Sequence, residues 1–509
     1  MKITPTVLLY AVLAAVCISL FTWFWLVLHK FTITNPWVTL PWGLLHTFGN
    51  PDLRPIAFKS IAFGFLPIGF ALYLIGDWSD DGERIVRGAR LVAGKQLAKL
   101  TRIKSRRDGK PLQIEMAGVP IPPACEPNHL LLAGSTNTGK STAGDQVLAT
   151  ALMRGDRCIV IDPNAHALAR FGKKGDMVLN PFDRRSPGWS IFNEIRQPFD
   201  YERLARSVVP DGNGDDQAWR HYAQQLLAET LRSMAQAGEN TTERLLYWLT
   251  QAPDDELKSF VAGTAAAGLF GSGADKALSS TKFVLSHHIG PYQHLRPGAF
   301  SLRGWLEKGE GNLFITWRED MLPALKPLIS GWVDILTASI LTLPTDNPRP
   351  LWLMLDELAS LEHLNSLEAA LTKGRKHGLR VVAGLQSVAQ LDKIYGHDAA
   401  KTLRSCFRNL LALGCSNADA ETAKAISEGL GQAEIERTQT TYNNGQQGTT
   451  TSKSSQRTTE SLVLPSQLMG LPPLHGFLKL AGDYPVAQIR LIPGDYPARV
   501  KSFEDGVTC

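Results

Sequence analysis

The sequence predicts an α/β fold: a parallel sheet that carries a phosphate-binding loop, interrupted by an all-helical insertion and preceded by two apolar segments. Three observations predict it. Short apolar runs recur at Leu130–Ala133, Cys158–Ile161, Leu313–Ile315, Leu351–Leu355, Leu379–Leu385 and Leu410–Leu413, with helical stretches between them. Continuous rather than alternating apolar strands belong to parallel sheets covered on both faces. The first run opens directly on Gly134-Ser135-Thr136-Asn137-Thr138-Gly139-Lys140-Ser141, a full G-x-x-x-x-G-K-[ST] match. Between about 184 and 300 the strand pattern disappears and amphipathic helices take over.

The first element is a membrane anchor. Val7–Leu28 is a run of 22 uncharged residues, long enough to cross a hydrocarbon core as a helix. Its far end carries Phe21, Trp23, Phe24 and Trp25, which suit a membrane interface. Ser60–Gly76 is a second, weaker span of 17 residues containing Pro67, expected as a helix over about 60–76. Only Lys30, Arg54 and Lys59 lie between the spans, whereas Arg84, Arg87, Arg90, Lys95, Lys99, Arg102, Lys104, Arg106, Arg107 and Lys110 follow the second. The positive-inside rule therefore puts both termini in the cytoplasm and a short loop, about 30–58, outside. A cleavable signal peptide would instead place an ATP site where there is no ATP.

Charge follows the same division. Residues 1–110 hold fourteen Lys/Arg against six Asp/Glu, net +8, which leaves −3 for the remainder of a chain whose total is +5. The body is not a basic protein, so any nucleic-acid contact must come from a local patch or an oligomeric channel. The six cysteines show neither C-x-x-C nor zinc-site spacing, which fits reduced thiols in the cytosol.

The loop after Leu130–Ala133 has the residue types that ATP binding needs. Backbone N–H groups of Gly134 to Thr142 curl around phosphate oxygens, and the helix that follows points its positive end at them. Lys140 neutralises the β/γ phosphates, and the Ser141 hydroxyl ligates Mg²⁺. Hydrolysis also requires a carboxylate for the Mg²⁺ shell and another for water. Two strands end in Asp, at Asp162 and at Asp356, but only the second continues into Glu357. Asp356 is therefore assigned to Mg²⁺ and Glu357 to water, and Asp162-Pro163 to the end of a neighbouring strand. Lys373, Arg375, Lys376 and Arg380 follow. They read either as a solvated basic helix end, or, at Arg375, as a finger toward a neighbouring subunit's γ-phosphate. Gln386 ends the next strand, either as plain termination or as a group that senses γ-phosphate.

Within the insertion, Gln217–Ala237 reads as one amphipathic helix stopped by Gly238, with further helices at Asp254–Gly263 and Ala274–His288. Residues 438–460 are nearly all Thr, Gln, Ser, Asn and Gly, a mobile loop or an exposed Thr-rich hairpin.

In this order and spacing, the chain resembles the coupling proteins of type IV secretion systems, the TraD/TrwB-like ATPases of conjugation. The resemblance rests on the two membrane helices, Ala117-Gly118-Val119-Pro120-Ile121-Pro122, the Gly134–Ser141 loop, Ile159-Val160-Ile161-Asp162-Pro163, Asp356-Glu357, Lys373-Gly374-Arg375-Lys376-His377-Gly378 and Gln386. It implies a RecA-like motor domain with an all-α domain, a homo-hexameric ring in the bacterial inner membrane, and Arg375 acting in trans. It also implies DNA, a relaxase and the secretion channel as partners. The domains expected are 1–77 (anchor), 78–183 (linker and first part of the P-loop domain), 184–300 (all-α) and 301–509 (remainder of the P-loop domain). Some relatives carry a long acidic C-terminal tail, whereas this chain stops soon after Phe503-Glu504-Asp505, so recruitment through such a tail is not expected. Arg203, Arg206, Arg220 and Arg232 are the DNA contacts to examine in the helical segment. The competing readings are a recruitment platform switched by ATP, and an FtsK-like translocase, whose extra membrane helices and winged-helix domain have no counterpart here.

Overall fold

The computed structural model describes residues 5–32, 36–75, 84–103, 113–212, 216–271, 273–308, 310–346, 348–445 and 448–505. The expected boundary at 77/78 and the basic residues Lys104, Arg106, Arg107 and Lys110 lie outside them. The chain forms two compact units, residues 1–84 with 436–457, and residues 85–435 with 458–509.

In the first unit, helix α1 (Pro5–Lys30) packs beside helix α2 (Arg54–Ile75), which starts six residues before the expected Ser60. The two backbones meet closely at Gly64, where a Cβ would stand 2.1 Å from Ser19 Oγ and 2.5 Å from the Ala15 carbonyl. Small residues at such a contact let helices approach without side chains between them. Tyr10, Leu13, Phe21, Phe58, Phe63 and Leu66 face outward. Among the described residues, one helix, Tyr10–Lys30, is long and apolar enough to cross a membrane.

The second unit is built on a ten-stranded sheet. In chain order its strands are β1 (Leu91–Ala93), β2 (Leu130–Ala133), β3 (Arg157–Pro163), β4 (Met177–Leu179), β5 (Leu313–Trp317), β6 (Leu351–Leu355), β7 (Leu379–Leu385), β8 (Asn409–Leu413), β9 (His475–Lys479) and β10 (Val486–Arg490). Their spatial order is β1-β10-β9-β8-β2-β7-β6-β3-β5-β4. From β8 to β4 every neighbouring pair is parallel, and all six anticipated runs fall in this stretch. Beyond β8 the sheet turns antiparallel through β9 and β10. The wholly parallel sheet expected from the apolar runs is therefore corrected to a mixed one.

The central strands are largely apolar because each face of the sheet is covered. Leu131, Ile159, Ile161, Leu353, Leu355, Val381 and Ala383 enter one core. Leu130, Leu132, Cys158, Val160, Trp352, Met354 and Val382, one residue out of step, enter the other. The second core packs on helix α3 (Lys140–Arg154) through Ala143, Val147, Leu148 and Ala151. That helix stops at Gly155, whose φ of +85° lets its N–H cap the carbonyls of Ala151 and Leu152.

Residues 184–300 contribute helices, among them α4 (Asp216–Ala237), which lays Leu226, Leu227, Leu231 and Met234 into the first core, and α5 (Asp275–Ile289). Both cross the expected bounds by a single residue. Beside them runs the largely buried α6 (Leu322–Ile340). The Thr-rich segment is a pair of long strands, Gln432–Gly445 and Gly448–Ser461, the hairpin alternative of the two anticipated.

Candidate functional site

The site forms where β2, β7 and β6, three adjacent parallel strands, end together. After β2 the chain bends away at Gly134, whose N–H donates to the Leu385 carbonyl at 3.0 Å. A Cβ there would lie 2.8 Å from Leu413 Cβ, so glycine is required by contact rather than by torsion. Ser135 N–H donates to the Gly414 carbonyl at 2.8 Å, and Thr138 Oγ1 closes the loop on the Ser135 carbonyl at 2.7 Å. Thr136 and Asn137 sit exposed at the tip, Asn137 with φ of +60°. Gly139, at φ +115°, turns the chain into α3, on whose first turn Lys140, Ser141 and Thr142 lie. The loop therefore aims a helix N-terminus across its own concavity, a place for anionic oxygens.

Lys140 is buried, and its Nζ donates to the carbonyls of Gly134 at 2.7 Å and Ser135 at 3.0 Å. Burial pulls its ammonium below the ordinary lysine range, against the attraction of Glu357 and Asp356. Ser141 Oγ donates to Asp356 Oδ1 at 3.1 Å, although 215 residues separate them. Glu357 comes next. Burial pushes its carboxyl up, opposed chiefly by Lys140. Gln386 and the Ala359 N–H also draw it down by hydrogen bonding, although neither donor meets its buried oxygens in good geometry. A buried carboxylate so weakly satisfied, beside an ammonium, keeps capacity to accept from a water molecule.

Asp162 ends β3 one strand away. Its oxygens accept from the N–H groups of Ala167 at 3.0 Å and Leu168 at 2.7 Å, so it caps the helix His166–Phe171. Burial raises it to about 7. A cavity of about 170 Å³ lies between Asp162, Asp145, Ser141 and Asp356.

The structure does not bring Arg375 to this site. It sits in the short turn Gly374–His377 ahead of β7, at the opposite end of the strand from Gln386. Seven residues of strand place them roughly 23 Å apart. Arg375 is exposed, as are Lys373 and Lys376, whereas Arg380 is committed to Glu126 at 3.1 Å. The arginines considered for DNA are also engaged: Arg203 with Asp200, Arg206 with Asp211, Arg232 with Glu202 and Glu229, and Arg220 with the Pro210 carbonyl.

One residue of the site escaped sequence reasoning. Gly384 lies in β7 beside the turn of Asp356, and a Cβ there would stand 1.8 Å from the Asp356 carbonyl oxygen. A glycine inside an apolar strand was the available signal, since it marks close backbone approach.

A family model, the type IV secretion-system coupling protein DNA-binding domain, matches residues 113–492. The chain belongs to this family. This coupling protein is similar to the plasmid coupling protein TrwB in complex with ADP and Mg²⁺, at 45% identity and TM-score 0.76, covering 82% of this chain and 96% of that one. TrwB in complex with the non-hydrolysable ATP analogue ADPNP gives 44% identity and TM-score 0.77, covering 85% and 100%. Coupling protein TraD of Escherichia coli (strain K12) is 27% identical over 401 residues, covering 76% of this chain. The chain spans 55% of that relative's length, little more than half.

Proposed function

We propose that the chain is an ATP-hydrolysing coupling protein, anchored in the bacterial inner membrane, that receives a relaxase–DNA complex and drives DNA toward a type IV secretion channel. The observation that carries this reading is the convergence of Lys140, the Ser141–Asp356 pair and the buried Glu357 carboxylate at one end of three adjacent strands. In it, residues Gly134 to Thr142 cradle the ATP phosphates, Ser141 and Asp356 hold Mg²⁺, and Mg²⁺ supplies positive charge against the phosphates. Lys140 exchanges the loop carbonyls for β/γ oxygens. Glu357 orients water and accepts its proton, while Gln386 senses the γ-phosphate. Arg375 acts on the site of a neighbouring subunit in a homo-hexamer.

The proposed domains are an anchor of two membrane helices (1–77), a P-loop domain (78–183 with 301–509) and an all-α domain (184–300), with both termini cytoplasmic. The outward apolar faces of α1 and α2 support the anchor.

ATP hydrolysis by the purified full chain, with and without single- and double-stranded DNA over a range of salt, tests the reading. Lys140→Thr should lose at least about 100-fold in rate, since it removes charge aimed at the phosphates, while it still folds and unfolds cooperatively. Salt-sensitive stimulation by DNA supports a motor. Hydrolysis indifferent to DNA favours the recruitment platform, which the engaged arginines and the net −3 body also favour. Absence of hydrolysis under every condition would mean that the purified chain does not close its ring without a partner.

A further inference from the structure

Away from the nucleotide site, α5 and the chain just beyond Glu357 bring His287, His288 and Glu362 together. Their candidate ligand atoms all lie within 4.8 Å of one another. His287 Nε2 is 3.5 Å from Glu362 Oε1, and His288 Nδ1 is 3.4 Å from Glu362 Oε2. His288 is 2% exposed, and neither its Nδ1 nor Glu362 Oε2, both buried, has a hydrogen-bond partner. Two facing buried polar atoms that make no hydrogen bond leave a debt on both sides.

A divalent cation between them resolves it. Donors around a tetrahedral ion with bonds of about 2.0–2.2 Å stand roughly 3.3–3.6 Å apart. Each histidine meets that spacing to one of the two Glu362 oxygens, and all the candidate donors lie within 4.8 Å, close enough for the exposed His287 to complete the set by a small side-chain turn. Two imidazole nitrogens with one carboxylate are a zinc-type set that leaves a fourth position for water. The backbone that carries Glu362 is fixed, because its N–H donates to Ser330 Oγ of α6 at 2.9 Å. His287 is exposed and can turn toward the ion. The guanidinium of Arg220, the nearby opposing charge, is turned to the Pro210 carbonyl.

We propose that His287, His288 and Glu362 form a Zn²⁺ site that clips α5 to the segment five residues past Glu357. The site is independent of ATP chemistry, so its test does not use activity. The full chain, with Mg²⁺ in excess, is titrated with Zn²⁺ and, separately, with Co²⁺. One zinc per chain at micromolar affinity is expected, with intense visible d–d bands from cobalt in a low-coordinate N/O site. His287→Ala, at an exposed position that leaves folding intact, and Glu362→Gln should each weaken zinc binding at least about tenfold and abolish the cobalt bands. Zinc should also raise the unfolding temperature of the parent and not of His287→Ala. Binding that is absent, or equal in parent and both variants, overturns the proposal.

Discussion

Two buried side chains, one in the site and one at the other end of the strands, show how burial sets proton affinity. Glu357 is pushed up by desolvation, so its base form is lost at a higher pH than an ordinary carboxylate. Hydrolysis should therefore decline on acidification above the usual carboxylate range, and Glu357→Gln should bind nucleotide while losing about 10²–10⁴ in turnover. A pH–rate profile beside a nucleotide-binding curve reads both; a Glu357→Gln rate near the parent's would remove its assigned role. His129 is the second case. Its Nε2 faces the Leu371 carbonyl at 2.9 Å and its Nδ1 accepts from Val381 N–H at 3.0 Å, which fixes the proton on Nε2. Burial lowers it from 6.5 to about 4. A depressed histidine stabilises the fold above 6.5, and that contribution is lost as pH falls through the folded value near 4. Unfolding temperature should thus fall between pH 6.5 and 4. His129→Ala should cost roughly 2–4 kcal/mol at neutral pH, by stranding Val381 N–H and the Leu371 carbonyl, and should flatten that slope.

At the level of elements, β7 organises the centre. It pairs with β2 and β6, takes the His129 bond in mid-strand, and ends at Gln386. Gly384→Ala should cost about 2–3 kcal/mol, since backbone rather than a movable side chain blocks the new methyl. Denaturant unfolding measures this, and an unchanged midpoint would mean that the Asp356 turn gives way freely. Strands such as β6 and β7 were legible because both of their faces are buried, so nearly every residue had to be apolar, Arg380 at the start of β7 being the exception. The phosphate-binding loop and Asp356-Glu357 were legible because the chemistry allows few alternatives. β9 and β10 were not: His475, Lys479, Gln488 and Arg490 break their apolar pattern where the sheet approaches its edge. β4 and β1 are three residues each, too short for any period to register. Gly384 needed knowledge of which strand lies beside which.

Across the whole molecule, the distance between Arg375 and the phosphate-binding loop decides what one chain can do alone. If Arg375 serves a neighbour, Arg375→Ala and Lys140→Thr should each be inactive singly and partly active when mixed. Mixed rings contain junctions where an intact loop meets an intact arginine. Hydrolysis across a mixing series tests this; a strictly additive, inactive mixture would return Arg375 to the solvated basic face.

The opposed placement of loop and arginine also bears on timing. If Arg375 serves a neighbour, a solitary chain would hold its nucleotide as a loaded but silent device, lacking the group that finishes the reaction. Closure of the ring would then be the start signal, and idle chains scattered in the membrane would leave the cell's ATP untouched until a channel gathers them.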